Sequence, residues 1–394
     1  MARALTVVPI VAAALLLSRA AAGVDATAAS GIFSYSVQPS APPVLLTGSD
    51  GFNGYPAVSP DGRFVAFISD RDRPAALPSG CDCGDAVYVM HIDGSSVRRV
   101  TETPPSSLVP RGWRLADPVW SPDGRAIYFK AYVVANWPDP RSNHDSVWRV
   151  AASGGAPDEI DDYGGAFALS RDGRYVSIVR RFFAGGGDLR VISTRSRATT
   201  RLATTTGRNG GAAPAWSPRA DLVAYIDEKG RHVLVATPGG RRRWTISASN
   251  VSALAWSPGG KRIAFVVGGS RRSLWIATLG KGRSQRVVDV PTVGWVRWSP
   301  KGDRLFVGGD GFAVSVRPNG RDLAGAGPVT PPRWSPDGRR RASFTLSRPI
   351  SLQAGSLELG SSEGLCERDS ATTSWFCGFA WTSDSRHVLA GFHG

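Results

Sequence analysis

Apolar residues in this chain fall in short runs, alternating or fully apolar, each bounded by turn-forming residues. Arg63–Ile68, Ala126–Phe129 and Arg262–Val266 are such runs, and Val87–Met90 and Leu274–Ala277 follow at short distance. Between and after them come glycine turns such as Asp93-Gly94 and Gly239-Gly240, then a more polar run such as Arg98–Thr101. Runs of this length and punctuation predict short β-strands joined by hairpins.

One phrase precedes the strongest runs. It reads Val58-Ser59-Pro60-Asp61-Gly62, Trp120-Ser121-Pro122-Asp123-Gly124 and Leu169-Ser170-Arg171-Asp172-Gly173. It continues as Trp216-Ser217-Pro218, Trp256-Ser257-Pro258-Gly259-Gly260, Trp298-Ser299-Pro300-Lys301-Gly302 and Trp334-Ser335-Pro336-Asp337-Gly338. The last copy is worn, Trp381-Thr382-Ser383-Asp384-Ser385. The copies recur at 36 to 62 residues, mostly in the forties, a period typical of propellers and repeat arrays. Serine first, proline second and glycine fourth suit a type I turn, with Ser and Asp capping nearby amides. Each turn joins the first strand of a unit to its second, and four strands make one blade. Six of the 13 Trp residues stand directly before the turn. A tryptophan at one fixed place per unit reads as packing between neighbouring blades.

The expected fold is therefore an all-β propeller of eight four-stranded blades, with seven as the alternative if the copy at Ser170 or Thr382 is not a true blade. Ile32–Val37 and Val44–Thr47 read as a third and fourth strand with no turn phrase before them. The last copy is followed by a second strand only. The two ends are expected to share one blade and so close the ring, removing exposed sheet edges.

Residues 1–22 carry a basic start, an apolar run from Leu5 to Leu17 and a small-residue end at Ala20–Ala22. This is the pattern of a secretory signal peptide; an uncleaved anchor is the competing reading. The expectation is a secreted, periplasmic or cell-envelope protein whose residues 23–394 form one propeller domain, with no transmembrane segment after cleavage. Cys81, Cys83, Cys366 and Cys377 suit disulfides in that compartment, with pairing open. Zinc fits their spacing poorly. The formal charge is +15, with only five lysines among 47 basic residues. Such a protein is drawn to anionic surfaces, although compositional bias explains the excess equally well. The scatter of the charge argues against nucleic acid.

The stretch Ser59–Asp72 followed by Val87–Gly94 closely resembles the TolB-type, WD40-like (PD40) repeat, and the other units carry its Trp-Ser-Pro-Asp-Gly core more loosely. The resemblance covers essentially the whole of residues 23–394. It implies a propeller, and little about function, because such repeats serve interaction proteins and the propeller domains of prolyl-oligopeptidase-type enzymes alike. No domain like the one before the TolB propeller, and none like the peptidase domain, is read here. A propeller without its enzyme is the expectation.

No His-Glu-x-x-His, EF-hand, Walker or dinucleotide motif occurs. His91, His144, His232, His387 and His393 are not paired at ligand spacing, so no catalytic residue, metal or cofactor is assigned. The acidic run Asp158–Asp162 reads as a solvated blade-edge turn rather than a Ca²⁺ loop. The long insertions Ser69–Ala86, Thr103–Pro118 and Val134–Ser146 belong to the first two blades and should crowd one sector of one face. They nominate Asp70, Arg71, Asp72, Arg73, Trp113, Arg114, Trp137, Arg141, His144 and Asp145 as binding residues, because mixed charge and aromatics on a rigid scaffold suit recognition. The expected function is non-catalytic binding or scaffolding by a monomer, with a protein or an anionic cell-envelope polymer as partner. The alternative is a propeller lyase or hydrolase acting on polysaccharide or peptide at the channel mouth.

Overall fold

Among the described residues each sheet is one blade, and in seven of the eight the strands follow in chain order from the central channel outward. A computed structural model describes residues 31–38, 41–48, 51–73, 84–101, 113–133, 144–181, 187–205, 214–269, 272–290, 294–309, 312–327, 330–344, 350–354, 357–362, 364–365 and 375–393. The signal-peptide pattern, Cys81, Cys83, Cys366, Trp137 and Arg141 lie outside the described residues.

There are eight blades. Their innermost strands are Asn53–Val58, Trp113–Trp120, Gly164–Leu169, Ala215–Trp216, Val251–Trp256, Trp295–Trp298, Arg333–Trp334 and Trp375–Trp381. Neighbouring innermost strands touch around much of the ring. The eighth blade is built as its ends require: Gly31–Ser36 pairs antiparallel with His387–His393, from Gly31 opposite Phe392 to Ser36 opposite His387. Val44–Leu45 adds the outer strand. Gly364–Leu365 pairs parallel with the start of Trp375–Trp381, adding a fifth strand on the channel side of this blade.

The Ser-Pro-Asp-Gly turn is a small hydrogen-bond relay. The hydroxyl of Ser59 accepts the Phe64 amide at 2.9 Å and donates to Asp61 Oδ1 at 2.5 Å, which accepts the Arg63 amide at 3.1 Å. The same relay recurs at Ser121, Asp123 and Arg125 and at Ser335, Asp337 and Arg339. In the worn copy Thr382 and Asp384 reproduce it. The glycine serves two ends at once. Gly173 has φ +72°, and a Cβ there would meet Pro122 Cδ of the preceding blade's turn at 2.9 Å. The left-handed conformation strains other residues, and Gly124, Gly302 and Gly338 likewise face the proline of the turn before them.

The relay predicts an acid response. Hydrogen bonds from Ser59, Ser121 and Ser335, followed by backbone amides, hold Asp61, Asp123 and Asp337 below the ordinary aspartate value. A carboxyl whose folded pKa is depressed stabilises the fold above its unfolded pKa, and that stability is lost as pH falls through the folded value. Denaturant midpoints should therefore hold steady down to about pH 5 and drop below about pH 4. Ser335→Ala should flatten the acid limb; an identical limb would contradict the relay's role.

The motif tryptophans bind the ring sideways. Trp120 Nε1 donates to the Ala57 carbonyl at 2.9 Å, Trp216 to Ala168 at 3.0 Å and Trp256 to Ala215 at 2.8 Å. Trp298 donates to Ala255 at 3.2 Å and Trp381 to Arg333 at 3.0 Å. Each acceptor is the residue just before the turn phrase of the preceding blade. Trp334 breaks the series: its Nε1 is buried with no partner.

Blade faces bury apolar layers between one another. The layer between blades one and two includes Phe52, Ile68, Trp120, Ile127 and Phe129, and that between five and six includes Ala264, Val266, Trp298 and Leu305. The layer between two and three is small: Val147, Val176, Ile178 and Ile192. No such cluster joins blades six and seven among the described residues. Cys377, on the innermost strand of blade eight, is fully buried against the cluster between blades one and two, from the blade-one side, and is disulfide-bonded, its partner lying outside the described residues. No described helix is long and apolar enough to cross a membrane.

Candidate functional site

Three of the charged residues nominated in blade one, Asp70, Arg71 and Asp72, bond back to the blade. Asp70 Oδ1 accepts the Phe52 amide at 2.6 Å. The Arg71 guanidinium donates to Asn53 Oδ1 at 2.6 Å and lies over the rings of Phe67 and Tyr88, at 5.3 and 5.1 Å from their centroids. Asp72 accepts the Tyr88 hydroxyl at 2.5 Å, and burial followed by that carboxylate pushes the phenol's pKa up. The Arg73 amide closes a turn on the Asp70 carbonyl at 2.9 Å. These groups fix the loop's root to the blade.

In blade two the nominated residues that are described, Trp113, Arg114, His144 and Asp145, lie on strands rather than in loops. The insertion expected to run to Pro118 ends earlier, and the innermost strand begins at Trp113. A bulge between Ala116 and Val119 absorbs Pro118, which has no amide to donate to a ladder. Trp113 pairs across Val133 to His144, and Arg114 pairs across Tyr132 to Asp145. Arg114, Tyr132 and Asp145 thus form one row across three strands. Side chains alternate faces along a strand, so this row shares its face with Val147, which packs on blade three. Tyr132 is 39% exposed, Asp145 is exposed and Arg114 half-buried.

Blade three answers this row with charge. Arg180 is buried, its Nε 3.0 Å from Asp161 Oδ1 and its Nη2 2.9 Å from Asp162 Oδ1. It lies 5.3 Å from the centroid of the exposed Tyr163 ring. Asp188 pairs with Arg190 at 3.0 Å, and its other oxygen is buried without a partner. Burial raises the pKa of Asp161 despite the Tyr163 amide and Arg180. The acidic run is therefore not wholly solvated: Asp158, Glu159 and Asp162 are exposed, but Asp161 is a buried ion-pair partner. A buried pair of this kind contributes orientation more than stability. Gly165 leaves the innermost strand bare beside Asp145, whose Oδ2 would be 3.8 Å from a Cβ there. The upper junction of blades two and three is a polar, charged seam with exposed tyrosines at its rim.

The channel wall carries a second charged feature that motif reasoning missed. The residue before the turn phrase is Ala57, Val119, Ala168, Ala215, Ala255 or Ala380 in six blades, but Arg297 and Arg333 in the adjacent blades six and seven. Both arginines are exposed on innermost strands, so they face the channel. Arg297 Nη1 donates to the Val296 carbonyl at 3.0 Å. Arg333 Nη1 donates to the Phe379 carbonyl at 2.8 Å and lies over that ring at 5.1 Å. Although they reach channel solvent, both sit deep among protein atoms. Burial, and then the neighbouring Arg333, lowers the pKa of Arg297. Burial also lowers that of Arg333, opposed by Asp117. Asp117, at φ +51° in the bulge of blade two, accepts from Lys130 Nζ at 2.6 Å. The signal was present in sequence as a break in an otherwise small-residue column.

Other chemistry is sparse. Gly360–Gly364 reads Gly-Ser-Ser-Glu-Gly, the spacing of a hydrolase nucleophile elbow, but Ser362 ends the outer strand of blade seven. An elbow needs a strand–turn–helix, and the described residues contain no helix. His91, His232 and His387 belong to separate blades; His232 is held by Asp227 at 2.8 Å. Among the described residues no three His, Cys, Asp or Glu side chains gather as a metal site.

Comparison with known proteins agrees with the architecture. The family described as the anaphase-promoting complex subunit 4 WD40 domain matches residues 214–301. A Bacillus subtilis (strain 168) protein named uncharacterized peptidase YuxL is 38% identical over 72 residues, which is 18% of this chain and only 8% of that protein. Among solved structures, the C-terminal WD40 domain of Sif2 is similar with a TM-score of 0.53 at 11% identity, over 88% of this chain and 98% of that one. An oligogalacturonate lyase in complex with manganese is similar with a TM-score of 0.52 at 16% identity, over 84% and 98%. A Porphyromonas gingivalis dipeptidyl peptidase 4 is similar with a TM-score of 0.51 at 12% identity, over 77% of this chain and 52% of that one. At these identities the likeness is one of fold.

Proposed function

We propose that this chain, a WD40-like propeller of TolB-type repeats, is an exported, monomeric, non-catalytic binding or scaffolding protein that engages a protein or an anionic cell-envelope polymer. The observation that carries the reading is the seam between blades two and three. There, exposed Tyr132 and Asp145 and half-buried Arg114 stand on strands of a closed ring, and exposed Asp162 and Tyr163 form the two-residue turn between Asp158–Asp161 and Gly164–Leu169. Rigid aromatics and paired charges on a fixed frame bind with little ordering cost. Export rests on the pattern of residues 1–22. The test uses protein recovered from the envelope or medium of expressing cells, with mass confirming processing after Ala22. Tyr132→Ser combined with Asp145→Arg should cut capture of envelope components at least tenfold while leaving the thermal midpoint within about 2 °C. Unchanged capture would overturn the site.

The second reading is an enzyme, a lyase or hydrolase acting in the channel on an acidic polysaccharide or a peptide. It is favoured by the arginine pair on the channel wall and by the full-length likeness to the lyase fold. Turnover of oligouronides or peptides that Arg297→Gln abolishes would replace the first reading with this one.

A further inference from the structure

The column of residues directly before the turn phrase is small or apolar in six blades and arginine in two neighbours. Placing two like charges side by side on the inner wall is costly. Arg297 finds only its neighbour's carbonyl, Val296, at 3.0 Å, and no carboxylate forms an ion pair with Arg297 or Arg333 among the described residues. Lys130, by contrast, has Asp117 at 2.6 Å, and Arg190 has Asp188 at 3.0 Å. The same junction lacks an apolar cluster among the described residues: it packs Trp334 and Arg341 on the Phe306 ring and holds the orphaned Nε1 of Trp334. Like charges without a carboxylate partner at such a junction break the local rule of charge pairing, as proteins do at functional sites.

We propose that the channel wall between blades six and seven is an oxyanion-binding site, in which Arg297 and Arg333 together hold a carboxylate, phosphate or sulfate group of a ligand that enters the channel. Each guanidinium is held by one nitrogen: Arg333 by the Phe379 carbonyl and ring, Arg297 by the Val296 carbonyl. The other N–H groups of each planar guanidinium make no hydrogen bond within the described residues, and such forks suit oxyanions. The setting is deep enough to depress both pKa values by burial, so a bound anion meets less screening than at an open surface. An anion there would also offset the repulsion between the two cations. This site lies on the channel wall, apart from the rim of blades two and three, and stands or falls independently of partner capture.

Titration calorimetry of the purified protein in low-salt chloride buffer tests it, with sulfate, phosphate and citrate as separate probes. Wild type should bind saturably at one site. Arg297→Gln and Arg333→Gln should each weaken binding by about tenfold or more, while Arg231→Gln, an exposed arginine elsewhere, should not. Arg297→Lys keeps the charge but loses the fork and should fall between. Without anion, Arg297→Gln should melt no lower than wild type, because it relieves repulsion. The probe that binds most tightly distinguishes a carboxylate source from a phosphate or sulfate one. Absence of saturable binding in wild type, or equal affinity in wild type and both Gln variants, overturns the proposal.

Discussion

Ile32→Ala is expected to destabilise the whole ring by about 3 kcal/mol, the usual cost of removing a buried isoleucine's methylenes. Ile32 is fully buried at the closure of the propeller. It lies on the strand supplied by the N-terminal side and packs with Leu389 from the C-terminal side and with Val65, Phe67, Tyr88 and Met90 of blade one. Its amide is also held by Thr47 Oγ1 at 2.9 Å. One side chain therefore joins both ends of the chain to the first blade. Loosening it exposes two strand edges at once, which open propellers do not tolerate well. Denaturant unfolding should show a lower midpoint in one transition. A variant that unfolds blade eight alone, leaving the other blades at the wild-type midpoint, would show that closure does not couple the ring.

The second large effect is a contrast between two chemically identical substitutions. Trp256→Phe removes the donor to the Ala215 carbonyl and shrinks a residue packed with Val235, Leu254 and Phe265. The lost bond, the stranded carbonyl and the void together should cost about 2–4 kcal/mol. Trp334→Phe removes a buried N–H that has no partner and should cost less than about 1 kcal/mol, since deleting an unsatisfied donor recovers its desolvation penalty. Equal costs measured by denaturant unfolding would refute the claim that the inter-blade bond of the other motif tryptophans adds to what their aromatic bulk contributes.

The architecture was legible because its determinants are local. Ser59, Asp61 and Gly62 satisfy one another within a few residues, so the turn can be read wherever the phrase recurs. Trp256 and its kin recur at fixed phase, which announced their packing role even though their acceptors lie 41 to 63 residues away. Ring closure followed from two half-blades with complementary strands. The site was less legible because its determinants are not local. Whether Arg71 reaches outward or inward depends on Asn53, Phe67 and Tyr88, on three different strands. Asp161 looked like part of a solvated run, yet Arg180, on the next blade's second strand, draws it into the junction. Arg297 and Arg333 carry no motif at all. They become visible only when each blade's residue before the turn is compared with the other blades' and found to line the channel.

The seam between blades two and three gains its meaning from the same geometry. Arg114, Tyr132 and Asp145 were nominated or passed over as loop neighbours, but register places them in one row. Replacing Tyr132 and Asp145 should leave the turn relays, the tryptophan bonds and the closing blade untouched, since none of those contacts involves either residue.

Frame and surface are thus carried by different residues. Capture of envelope components by wild type and by the Tyr132→Ser/Asp145→Arg protein, read beside their thermal midpoints, tests it most directly. Capture reduced at least tenfold with midpoints within about 2 °C is the predicted result. Equal capture by two equally folded proteins would contradict it.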